Sequence, residues 1–276
     1  GSKVATTDWT KFVTQTGITQ LHTLSVSGGS EKMKAYGSFG YMDNTGTLKG
    51  QSYKRYNGTV SVDITPNKWF SMGANLNTSY GVNEYGQSTV GRSAVATSGG
   101  IYQTALQNLP YAMPFDANGV RIINPGGDST IRNVYDEHLY SQDQRVTLRA
   151  FGSFYAQLDL GAISSKLDGL KYRVNFGPDI TAYRNGVFLD GQSSARSGTS
   201  YASLSKDQTI SYTLDQLLFY NKTLGNHNFG LTLLQSQTQY RNEGNAMSAE
   251  KIPNSANKWN ALIPSNVPVL ASYSSD

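Results

Sequence analysis

Residues 145–162, RVTLRAFGSFYAQLDLGA, alternate almost without a break. Val146, Leu148, Ala150, Phe154, Ala156, Leu158 and Leu160 share one parity, and Arg145, Thr147, Arg149, Ser153, Gln157 and Asp159 the other. A period of two belongs to a β-strand, whose successive side chains point to opposite faces. Globular strands run about 5–6 residues, whereas a tilted strand that crosses a bilayer needs about 9–11. One apolar face toward lipid and one wet face toward a lumen is the pattern of a transmembrane barrel wall.

Working outward, the same alternation predicts strands near 18–28, 34–42, 53–65, 69–80, 170–184, 210–220 and 229–238. Together with the opening segment they make about eight. In the fourth, Phe70, Met72, Ala74, Leu76 and Tyr80 oppose Ser71, Asn75, Asn77 and Ser79. Pro178 falls inside a run and predicts a bulge or an interrupted ladder. The connections alternate in length. Segments 29–32, 65–68, 164–169 and 224–227 are short, and 43–52, 81–140, 185–206 and 242–276 are long. Short turns on one rim and long loops on the other are what an up-and-down outer-membrane barrel has, periplasmic and extracellular respectively. The fold expected is all-β, an antiparallel up-and-down transmembrane β-barrel segment.

Composition supports this. The 276 residues hold 28 Gly and 18 Tyr but no Cys, and hydrophobic residues make up only 38%. No run approaches the roughly 18 apolar residues of a spanning helix, so any crossing of a membrane has to be made by a closed sheet. The net charge of +4 is spread along the chain and leaves no footprint for nucleic acid. Residues 1–10 lack the basic start and apolar core of a secretory signal, so either a signal has been removed or the sequence is internal.

The loops offer little chemistry. His22, His138 and His227 stand far apart, so no metal, no cofactor and no enzymatic role is expected. Asp136, Glu137, His138 and Asp143 read as a solvated loop end. Asp116-x-Asn118-Gly119 is a glycine turn without the distant Glu that a calcium loop requires. Segment 81–140 is too long for an ordinary loop. It contains a possible helix over 93–109, ended by Pro110. Tyr36, Tyr41, Tyr53, Tyr56, Trp69, Phe70, Tyr80, Tyr172 and Tyr220 lie near strand ends and read as interface aromatics. Tyr102, Tyr111 and Phe115 in the large loop are the substrate-binding candidates, as rings that could stack on a sugar or peptide side chain. Arg55, Asp63, Arg145, Arg149, Asp159, Lys171, Arg173 and Asp179 share the polar parity, where Arg145 and Arg149 should meet acids. The final stretch, with Pro253, Pro264 and Pro268, reads as a loop without its return strand.

Residues 21–80 carry a sharper signal in LSVSGGSEK (24–32), Tyr36, Phe39 and Tyr41, the Gly46-x-Leu48-x-Gly50 turn, Arg55-Tyr56 and Trp69-Phe70. This run resembles the start of the barrel in the SusC/RagA family of TonB-linked outer-membrane transporters. Thr23 and Thr59 stand where that family more often has Asn and Arg. The resemblance implies a plug domain before the barrel, with 1–17 as the connector from it and 18–276 as a partial barrel of some 22 strands in all. It also implies a SusD-like lipoprotein partner, TonB coupling through the plug, and import of a glycan or peptide across a Gram-negative outer membrane. From the residues alone, a passive porin or adhesin barrel and a soluble β-sandwich that binds carbohydrate stay open.

Overall fold

The computed structural model describes residues 6–86, 100–196, 198–260, 262 and 270–275. Among these, nine antiparallel strands form one sheet in sequence order. They are β1 (Ile18–Gly29), β2 (Met33–Thr45), β3 (Gln51–Asn67), β4 (Phe70–Tyr85), β5 (Ser141–Asp159), β6 (Leu170–Leu189), β7 (Tyr201–Leu224), β8 (His227–Glu250) and β9 (Leu270–Ser275). Short helices are α1 (Trp9–Val13), α2 (Ile101–Gln107), α3 (Glu137–Tyr140) and α4 (Leu160–Ile163). The sheet is an up-and-down wall and is not closed within these residues.

The register carries the alternation across the wall. Val60, Leu76 and Tyr56, Tyr80 are opposed on one face, and Tyr80 in turn faces Leu148. Tyr80 stands ten residues beyond Phe70 on β4. That is about 34 Å along the strand and, at a tilt near 40°, about 26 Å in height, against about 25 Å for the apolar band of outer-membrane barrels. The upper edge of the band is a row of rings, with Tyr41 and Tyr56 5.0 Å apart and Tyr56 and Tyr80 6.4 Å apart.

Large apolar side chains stay exposed on this face, among them Leu24 at 75%, Val26 at 73% and Leu231 at 57%. A β-sandwich would bury this apolar face in a core, so the soluble alternative does not fit.

Several expectations are corrected. The strands run past their predicted ends toward the long-loop rim, with β6 reaching Leu189, β7 starting at Tyr201 and β8 continuing to Glu250. Above the apolar band the two parities no longer differ, as Val187, Phe188 and Leu189 follow one another at the end of β6, and the alternation fades while the ladder goes on. The supposed final loop contains β9, which pairs with β8 from Glu243↔Ser275 to Ser248↔Leu270. Pro264 and Pro268 lie outside the described residues, as does 93–99 of the expected helix, whose described part is α2. Tyr36 and Tyr53 are on the polar face, since Tyr53 shares the parity of Arg55 and pairs with Asn83. They are not interface aromatics.

Pro178 gives an interrupted ladder without a bulge. Its pairing with Tyr212 on β7 is continuous, but on the β5 side the rungs stop at Phe151↔Asp179 and resume at Phe154↔Phe176 in the same register. A proline has no N–H to donate, and the missing rungs are on the side where it would be needed.

Candidate functional site: the long-loop rim and the polar wall beneath it

Buried side chains gather at the long-loop rim. Trp9, Val13, Ile101, Ala105, Ala112 and Val134 form one small core, and Phe188, Ala202, Ala249, Ile252 and Trp259 another. Residues 7–17 dock here: Thr7 N–H donates to the Pro110 carbonyl, Trp9 Nε1 to Leu109 O at 2.9 Å, and Lys49 N–H to Val13 O.

The acidic cluster expected in water is buried at two positions. Glu137 is 0% and Asp143 3% exposed. Glu137 accepts from Arg121 Nη2 at 2.8 Å, from Ser193 Oγ and from the Ser194 N–H at 3.0 Å. Arg121 also donates to the carbonyls of Gln192 and Asn133. This network fastens the large loop to segment 190–200. Arg196, 4% exposed, then ties that segment to Glu250 on β8 at 2.6 Å. A buried carboxylate is tolerable only when ion-paired and hydrogen-bonded, as here. Next to it, partial burial lowers the His138 pKa.

Of the sequence candidates, Tyr102 on α2 is 44% and Tyr111 64% exposed. Phe115 is half-buried and packs edge-on against Tyr135 at 4.9 Å, which in turn meets Phe12 at 4.8 Å. Among the described residues no ring contact joins Tyr102 or Tyr111 to Phe115. The Asp116–Gly119 segment is a glycine turn: Gly119 has φ +77°, and Asp116 Oδ1 accepts from Asn118 and Val120 N–H groups. Among the described residues no group of three or more His, Asp or Glu is placed to hold a metal ion.

Just below the rim, on the polar face, is a cavity of about 330 Å³ lined by Tyr53, Arg55, Gly81, Tyr85, Arg145 and Tyr183, among others. The Arg145 guanidinium lies 3.8 Å from the centre of the Tyr85 ring. Asp143 holds it through two hydrogen bonds, at 3.2 and 3.1 Å. Gly81 is opposite Arg55, and a Cβ there would meet the Tyr53 hydroxyl at 3.1 Å, so glycine leaves room for the ring. Arg55 Nε is buried without a hydrogen-bond partner, and Arg55 has no ion pair among the described residues. Parity alone would have placed Tyr53 here, since it is two residues before Arg55. Lower on this face, Arg149 pairs with Asp179 at 2.6 Å and Lys171 with Asp159 at 3.0 Å. Arg145 and Arg149 thus meet acids, as their parity required.

No family model matches the chain. TonB-dependent receptor P3 of Formosa agariphila is 28% identical over 241 residues, which cover 87% of this chain and 23% of the relative. TonB-dependent receptor P39 of the same organism is 36% identical over 76 residues, 26% of this chain and 7% of the relative. Among solved structures, the RagAB peptide transporter superposes with TM-score 0.71 at 21% identity, over 98% of this chain and 30% of its own. The RagAB peptide importer in its closed-closed state gives 0.67 at 20% identity, over the same shares. The chain thus spans less than a third of the length of each. The strands therefore share the fold of the RagAB barrel wall, and their sequence is similar to those of TonB-dependent receptors.

Proposed function

We propose that this wall belongs to an active importer of the outer membrane of a Gram-negative bacterium, driven by TonB and working with a SusD-like lipoprotein. The observation that supports it most is the pairing of an apolar band about 26 Å high with an opposite face that carries ionic and tyrosine-rich groups. The polar face then lines a lumen and the long-loop rim faces the cell exterior. The cargo is a peptide or an oligosaccharide. Tyr53, Tyr85 and Tyr183 offer ring faces to either, while the guanidinium of Arg55 favours cargo that carries carboxylates. Tyr102 and Tyr111, exposed on the rim, would meet cargo first. Residues 1–17 would follow a plug domain, and the plug and its TonB-contacting segment would be supplied by other parts of the receptor.

The test is uptake of labelled oligopeptides and oligosaccharides by cells in which this receptor is the only route, with and without TonB. Uptake that stops when TonB is deleted supports the importer. Uptake that persists unchanged would favour the passive porin.

A further inference from the structure

The apolar face changes character above its ring row. On β6, Tyr172 to Ala182 covers the same ten-residue span as Phe70 to Tyr80, and Arg184 is the next position on that face. Arg184 pairs directly with Lys206 of β7. Like charges in directly opposed positions destabilise a sheet. Arg184 donates to Gln144, whose amide donates to Glu84. Lys206 is exposed and has no ion pair among the described residues. The carboxylate nearest in register, Glu243 opposite Gln208, is already held by Arg241. Glu243 lines the groove described next, and so does Asp207, although alternation puts it on the opposite parity.

These two cations border a groove of about 480 Å³ whose lower wall is Tyr80, Leu148 and Ala182. An apolar floor with paired cations above it, at the height where hydrocarbon gives way to water, is complementary to a lipid carrying an anionic headgroup. We propose that this groove binds a phosphorylated lipid of the outer leaflet, with its phosphate bridging Arg184 and Lys206 and an acyl chain against Leu148 and Ala182. The bridging anion would turn the Arg184–Lys206 repulsion into two attractive contacts. The site rests on the reading above that the long-loop rim faces outward.

The intact receptor, purified in detergent, is incubated with bisphosphorylated lipid A, and retained lipid is counted by native mass spectrometry. R184Q/K206Q should weaken retention at least tenfold, K206Q alone by severalfold, and dephosphorylated lipid A should not be retained by the parent. Millimolar inorganic phosphate should not displace the bound lipid; displacement would mean a site for free phosphate and overturn the proposal. Equal retention by parent and double variant, or by phosphorylated and dephosphorylated lipid, also overturns it. Heat-modified mobility on gels checks that each variant is folded, and where the double variant is not, K206Q decides. Orientation is read separately by labelling Asn118→Cys in whole cells with an impermeant maleimide, with labelling of the parent receptor as the background. No labelling would overturn the assignment of the rims, whereas labelling without lipid loss in the variants would overturn this site alone.

Discussion

At the long-loop rim Trp9, Ala105, Val134 and Trp259 are 2–5% exposed, while along the wall Leu24, Val60, Leu231 and Leu233 are 54–75% exposed. The rim is built as water-soluble proteins are, around small cores and a buried, fully paired carboxylate. The wall has no core of its own. Its cohesion comes from backbone ladders, and its apolar side chains stand outward to a solvent that is not water. The difference shows that one chain answers to two solvents within a few residues, and that a single apolar residue means burial in one region and lipid contact in the other.

The largest effect expected is at the rim. Glu137→Ala leaves Arg121 without its carboxylate, and breaking a buried pair this way costs about 3–5 kcal/mol. Hydrogen exchange in the intact receptor should show protection lost over 121–133 and 190–196 while the middle of β5 and β6 is unchanged. If exchange rises through β5 and β6 as well, rim and wall are one cooperative unit and the contrast fails.

The wall should answer to the opposite kind of change. Leu76→Arg, in the middle of the band, should cost about 2–4 kcal/mol, read as a shift in urea unfolding in lipid vesicles. Asn77→Arg, one residue along and on the other face, should cost less than about 1 kcal/mol. Equal costs would mean that the two faces meet the same solvent.

The smallest effect is with pH. Burial, opposed by Asp136 and reinforced by Lys49, holds the His138 pKa below its ordinary value. The unfolded chain therefore binds the proton more readily. Stability of the rim is intact above the ordinary histidine pKa of about 6.5 and falls as pH drops through it. Limited proteolysis of the large loop should be faster at pH 5.5 than at pH 7.5, and His138→Gln should flatten the difference.

How far the sequence revealed this molecule follows the same division. The wall was legible because lipid imposes a period of two, and the turns between β1 and β2 and between β7 and β8 fell where polar residues interrupt it. On β8 legibility ended inside the band: Leu233 stands level with Tyr172 at the lower edge, and Gln235, Gln237 and Gln239 follow on the same face, alternating with Ser236 and Thr238, yet the ladder runs on to Glu250. Glu137 looked solvated because its partners, Arg121 and Ser193, are 16 and 56 residues away in other segments with no periodicity to connect them. Tyr53 was misplaced by proximity to a strand end, although its parity with Arg55 held the answer.

The two rungs missing beside Pro178 bear on the shape of the cylinder. A ribbon stitched continuously on both sides spreads its curvature evenly. Where stitches are absent, at Gly152 and Ser153 opposite Gly177 and Pro178, bending is cheapest and a crease forms. Of the described wall, the seam between β5 and β6 is then expected to bend most sharply.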